Sequence, residues 1–166
     1  MSHSIEDHFI ETINQHRGIL HKVSGIFLKG FEEKEDLIQE MLFQLWKAFP
    51  GFSGNSKFST WMYRVCLNTA LTYSKKKSKS TFEELEEHHL QITTESGDLD
   101  QDRVRMLYEA IEMLSPLNRA IILLYLENQS YDEIAEITGL SRSNVSVRLV
   151  RAKKELEKKI STTNQY

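Results

Sequence analysis

Residues 130–154 read SYDEIAEITGLSRSNVSVRLVRAKK, and their punctuation decides the fold. Ser130-Tyr131-Asp132-Glu133 has the form of a capping box, in which the serine hydroxyl accepts the Glu133 amide and the Glu133 carboxylate accepts the Ser130 amide. A helix therefore starts here, with Ile134, Ala135 and Ile137 on its inner face and Ala135 small enough for a second helix to cross closely. Gly139 stops it, because the residue past a helix end commonly needs a positive φ, which glycine adopts without steric cost. Leu140 plugs the core beneath the turn. Ser141 caps a second helix whose inner face is Val145, Leu149 and Ala152. Helix, glycine turn and helix with a small residue at the crossing is the arrangement that lays the second helix in a major groove of duplex DNA. Arg142, Ser143, Asn144, Ser146, Val147 and Arg148 open that helix, where side chains meet base edges, while Arg151, Lys153 and Lys154 are placed for phosphates. A helical hairpin with a solvated basic face is the competing reading; caps, turn, small residue and charge together favour DNA.

Working outward, the apolar spacing stays at three or four, and only two prolines and seven glycines interrupt the chain, so the whole protein reads as helical. Ser115 and Pro116 supply an N-cap and first helical position for a helix running to about Glu127. Val104, Leu107, Ile111 and Leu114 define the helix before it. Near the start, Ile5, Phe9, Ile13, Leu20, Val23 and Phe27 follow one face of a helix or helix pair. Leu37, Met41 and Leu45, with Ile38, Leu42 and Phe49, follow another, which Pro50-Gly51 ends. After a polar loop at 52–59 a third helix is expected near Thr60, whose hydroxyl can cap it; it carries Trp61, Met62, Val65, Leu67 and Tyr73 into a lysine run. The expected architecture is all-α: two small helical domains, 1–78 and 102–166, joined by a flexible acidic linker at 79–101, the second domain being the helix-turn-helix. The linker has room for a short helix around 83–90.

Formal net charge is −3 over 166 residues, which alone argues against a nucleic-acid partner, yet the charge is blocked rather than mixed. From 53 to 80 the ionised residues are Lys57, Arg64, Lys75, Lys76, Lys77 and Lys79, without a carboxylate. From 81 to 102 they are Glu83, Glu84, Glu86, Glu87, Glu95, Asp98, Asp100 and Asp102, without a lysine or arginine. Two basic surfaces thus flank an acidic connector, whose charge either keeps it extended or imitates nucleic acid. No apolar run approaches the roughly 20 residues needed to span a bilayer, and the first residues lack the basic-then-apolar order of a secretory signal, so no membrane insertion and a cytoplasmic location are expected. Cys66 is the single cysteine, leaving no intrachain disulfide, and no Cys/His cluster has metal-ligand spacing. No cofactor and no enzymatic activity are expected: His88 and His89 lack ligand spacing, and Cys66 has no identifiable base partner.

The chain resembles a family at this point: the extracytoplasmic-function (ECF) type of bacterial RNA polymerase sigma factor. Leu114-Ser115-Pro116-Leu117-Asn118-Arg119, then Ser130 to Ala135 and Gly139-Leu140-Ser141, is similar to the family's C-terminal domain, which reads the minus-thirty-five promoter element. Glu35-Asp36-Leu37-Ile38-Gln39-Glu40 with Leu45-Trp46-Lys47-Ala48, then Phe58 to Val65 and Asn68-Thr69-Ala70, resembles its other domain. The resemblance implies that Asp36, Gln39, Glu40, Leu42, Phe43 and Trp46 dock on the β′ coiled coil of core RNA polymerase. A helix with acidic and amide groups beside apolar ones suits a basic partner helix. Core packing is the other reading of Trp46, and a solvated face the other reading of Asp36 and Glu40.

The resemblance also implies that residues 52–77 grip the opened single strand of the minus-ten element, through aromatic faces at Phe52, Phe58, Trp61 and Tyr63, hydrogen-bonding groups at Asn55, Ser59, Thr60 and Asn68, and charge at Lys57, Arg64, Lys75, Lys76 and Lys77. Phe52 and Asn68 would wall a pocket for a flipped base. Trp61 has a second reading, as core, because it lies on a helical stripe. Further implied partners are the polymerase β flap, promoter DNA and an anti-sigma factor. A stand-alone helix-turn-helix regulator is the alternative; it leaves the basic block at 53–80 unexplained.

Overall fold

The computed structural model describes residues 4–80 and 99–163. All their regular elements are helical: α1 (Ile5–Gln15), α2 (Arg17–Phe27), α3 (Phe31–Ala48), a 3-10 turn (Phe49–Gly51), α4 (Phe58–Ser80), α5 (Leu99–Glu112), α6 (Pro116–Leu126), α7 (Tyr131–Thr138) and α8 (Arg142–Thr163). The first apolar stripe belongs to a helix pair, because the backbone leaves helical geometry at His16 (φ −122°, ψ 21°). Phe9, Ile13, Leu20, Val23 and Phe27 are buried as their spacing requires, whereas Ile5, in the first turn, faces solvent. Leu37, Met41 and Leu45, one turn apart along α3, are completely buried. Pro50 carries no amide hydrogen, and α3 gives way there to the 3-10 turn.

Two boundaries differ from the sequence expectation. The third helix starts at Phe58, so Thr60 does not cap it but lies buried within its first turn, where the Trp61 amide already donates to the Lys57 carbonyl at 3.1 Å. The helix before Ser115 begins at Leu99, inside the segment expected to be linker, with Asp100 and Asp102 in its first turn; carboxylates there are favoured by the positive end of the helix dipole. Residues 81–98, which hold most of the acidic run and the helix anticipated at 83–90, lie outside the described residues.

In the first half α4 packs across α2 and α3; in the second, α8 packs against α5, α6 and α7. The halves also meet, α2 against α5 and α6, and α4 against α6 and α7. Among the described residues, ion pairs cross this boundary at Lys22–Glu127 (2.6 Å), Lys29–Glu112 (2.9 Å) and Lys57–Glu133 (3.0 Å). Each lysine comes from the first half and each glutamate from the second. All are partly exposed, so each contributes at most about 1 kcal/mol and weakens with salt. Between them Tyr63, buried on α4, donates to Glu127 Oε2 at 3.5 Å. Burial, and then the neighbouring Glu127 carboxylate, push the Tyr63 phenol up, which keeps its proton available for this bond.

Candidate nucleic-acid interface

The helix-turn-helix is built from short-range signals. Ser130 Oγ accepts the Glu133 amide at 3.1 Å, and the Ser130 amide donates to Glu133 Oε2 at 2.9 Å. Gly139 adopts φ +76° and its amide closes α7 on the Ala135 carbonyl, a conformation in which a Cβ would be strained. Ser141 Oγ accepts the Asn144 amide at 3.1 Å to open α8. Ile134, Ile137, Val145, Leu149 and Ala152 are buried where the two helices cross.

The opposite face of α8 is open. Ser143, Val147, Val150 and Lys154, spaced four, three and four apart, form its outermost stripe and are all exposed. Arg142, Asn144 and Arg151 are exposed beside it, whereas Ser146, Arg148 and Lys153 are half-buried on its flanks. Several cations are held by neighbours: Arg142 pairs with Asp132 of α7 at 3.3 Å. Lys153 Nζ sits 3.9 Å over the Tyr125 ring of α6. Arg148 donates through Nε to Asn144 Oδ1 at 3.2 Å and through Nη1 to Asn118 Oδ1 at 3.4 Å. Val150 escaped the sequence reading, although its three-residue spacing from Val147 put it on the same outward stripe.

In the first half, Asp36, Gln39, Glu40, Phe43 and Trp46 recur at helical spacing along one exposed face of α3, with Leu42 half-buried beside them. Phe43 is 57% and Trp46 40% exposed. Trp46 is divided between core and surface: its ring packs edge-on against Phe9 at 5.0 Å while its remaining surface faces out. At the start of α4, Phe52 lies 5.5 Å from Phe58 and 5.2 Å from Trp61, ring centre to ring centre. Trp61 is half-buried, in contact also with Phe49. Asn55, Lys57 and Arg64 are exposed, Ser59 is half-buried, and Thr60 and Tyr63 are buried. Tyr63 therefore presents no ring to a strand; its place is the boundary between the halves.

Asn68 is exposed seven residues beyond Trp61, about 10 Å along the helix axis. It lines a groove with Asp36, Glu40 and Gln44 of α3 and Thr69, Thr72, Tyr73 and Lys76 of α4, whereas Phe52 sits in the aromatic cluster. Lys75 and Lys76 are exposed, and Lys77 is paired with Glu33 at 2.6 Å. Burial pushes the Cys66 thiol up to about 12, so it stays protonated. Among the described residues no helix is long and apolar enough to cross a membrane, and no three acidic, histidine or cysteine side chains gather as a metal site.

Glu133 joins the two halves chemically, accepting the Ser130 amide and the Lys57 ammonium. Those bonds, the Ser130 amide first, hold its carboxyl below the usual carboxylate range. A carboxyl lowered by folding contributes stability above its unfolded pKa and loses it as pH falls through the folded value. Glu133→Gln is therefore expected to melt below the wild type at neutral pH, with the gap closing under acid, as thermal melts at graded pH would record.

Residues 12–80 match the model of Sigma-70 region 2, and residues 104–156 match that of Sigma-70, region 4. The ECF RNA polymerase sigma-E factor of Haemophilus influenzae is 30% identical over 154 residues, covering 84% of this chain and 82% of that one. Its counterpart from Escherichia coli K12 is 27% identical over 155 residues, covering 84% and 81%. Two solved structures share the fold: the sigma factor RpoE of Bartonella quintana in complex with the anti-sigma factor NepR (TM-score 0.70, 20% identity, 91% of this chain and 97% of that one), and CnrH in complex with the cytosolic domain of CnrY (TM-score 0.70, 18% identity, 96% and 91%). An all-helical protein with a region-two half and a helix-turn-helix half is a sigma-70-type transcription initiation factor. The chain belongs to the ECF sigma factors of RNA polymerase.

Proposed function

We propose that the chain docks on core RNA polymerase through the exposed stripe of α3, directs it to promoters by laying α8 in the major groove of the minus-thirty-five element, and assists strand opening at the minus-ten element through residues 52–77. The observation that carries this reading is the stripe Asp36, Gln39, Glu40, Phe43 and Trp46. Aromatic side chains left at solvent among acidic and amide groups suit a surface that a partner covers, and among the described residues Phe43 stays 57% and Trp46 40% exposed. A second basic surface then gives promoter DNA two anchors. The β flap is the expected contact of the second half. The anti-sigma factor bound in one structural neighbour supports regulation of this chain by a protein of that kind.

Lys57, proposed for the minus-ten strand, pairs with Glu133 across the boundary between the halves, so this exposed ion pair breaks when the ammonium meets DNA. Run-off transcription with purified core polymerase tests the reading: a start-site-specific transcript that requires this protein is expected. Duplex binding by the protein alone, with no such transcript on any candidate promoter, would favour the stand-alone regulator. Asn68→Ala is expected to reduce strand opening, read by permanganate reactivity of thymines, more than it reduces closed-complex binding. Equal loss of both would remove Asn68 from the melting role.

A further inference from the structure

We propose that Asn118, on α6 and outside the helix-turn-helix itself, is a positioning residue that turns Arg148 from the base edges to the DNA backbone. This rests on the reading of α8 as the groove helix. Arg148 stands at the start of that helix, where an unrestrained arginine would reach bases. Its guanidinium is instead fixed from two sides, by Asn144 a turn earlier on α8 and by Asn118 in the first turn of α6. Two acceptors on different elements set both the position and the plane of the group. That position is on the flank of α8 toward α6, about a quarter turn from Val147 on the outward stripe. When the stripe faces the groove floor, the flanks face the groove walls, and the walls are phosphates. The remaining guanidinium N–H groups are then able to clamp a phosphate, and sequence reading falls to Ser143, Val147 and Val150 of the outward stripe.

Asn118 suits a test because its own backbone amide is capped by Ser115 Oγ, and that bond survives replacement of its side chain. Holoenzyme made with wild-type protein, Asn118→Ala, Arg148→Ala, the double variant and Lys154→Ala would be bound to promoter duplexes randomised in the upstream element, over a series of salt concentrations. Arg148→Ala is expected to weaken every sequence by a similar factor, about three- to tenfold, and to flatten the salt dependence by about one ion. Asn118→Ala is expected to weaken binding about two- to threefold with unchanged base preference and unchanged melting temperature, and to add nothing once Arg148 is gone. Relaxed preference at one base pair in Arg148→Ala would make Arg148 a base reader and overturn the proposal. An Asn118→Ala effect that persists in the double variant would overturn it as well. If Arg148→Ala and Lys154→Ala both bind as the wild type, the groove-helix reading itself fails.

Discussion

Leu149→Ala is expected to destabilise the second half by about 2–5 kcal/mol, the usual cost of emptying a fully buried leucine site. Leu149 is completely enclosed, with Val145, Ala152, Ile134 and Ile137 buried at the same helix crossing. A single domain holds only about 5–15 kcal/mol in total, and the ion pairs to the first half are too exposed to compensate. Chemical denaturation should therefore show a much earlier transition, with promoter-directed transcription lost near physiological temperature. A loss below about 1 kcal/mol would mean that α8 is not seated on α6 and α7 as described, since surface substitutions cost no more than that.

Phe43→Ala should do the opposite: leave stability nearly unchanged and weaken binding to core polymerase by at least about tenfold. An exposed side chain has little packing to lose on truncation, whereas an aromatic anchor buried in a partner commonly carries more than about 1.4 kcal/mol. Asp36→Ala is expected to move affinity in the same direction by less and to leave it less dependent on salt, because a rim charge acts mainly on encounter. Competition against labelled wild-type protein for core polymerase, beside a thermal melt, separates the two effects. Wild-type affinity in Phe43→Ala would remove the α3 stripe from the docking face.

Both predictions use residues already legible in the sequence, and for the same reason. A helical stripe is a statement about spacing, so Leu149 fell on the inner face of α8, and Asp36 to Trp46 on a continuous helix, without knowledge of what lay opposite. Spacing was less informative where aromatics cluster. Phe52, Phe58 and Tyr63 read as faces for bases, and Trp61 as either a face or core, yet Tyr63 is buried at the boundary between the halves and Phe52 and Trp61 pack on each other. Thr60 was likewise a plausible cap only while the helix start was unknown; two residues of difference turned a capping hydroxyl into a buried one.

The helix-turn-helix was determined by the sequence because each device that makes it is local: Ser130 and Glu133 are three residues apart, and Gly139 meets its own steric requirement in place. The partners of these same residues were decided only in three dimensions. Glu133 completes a cap within its own turn and also holds Lys57, 76 residues away; Arg148 lies on the predicted recognition helix, but Asn118, 30 residues earlier, sets where it points. Backbone hydrogen bonds and φ preferences act over a turn or two and are written in neighbouring residues. Long polar side chains choose among acceptors by distance, and those distances exist only once α6, α7 and α4 have packed.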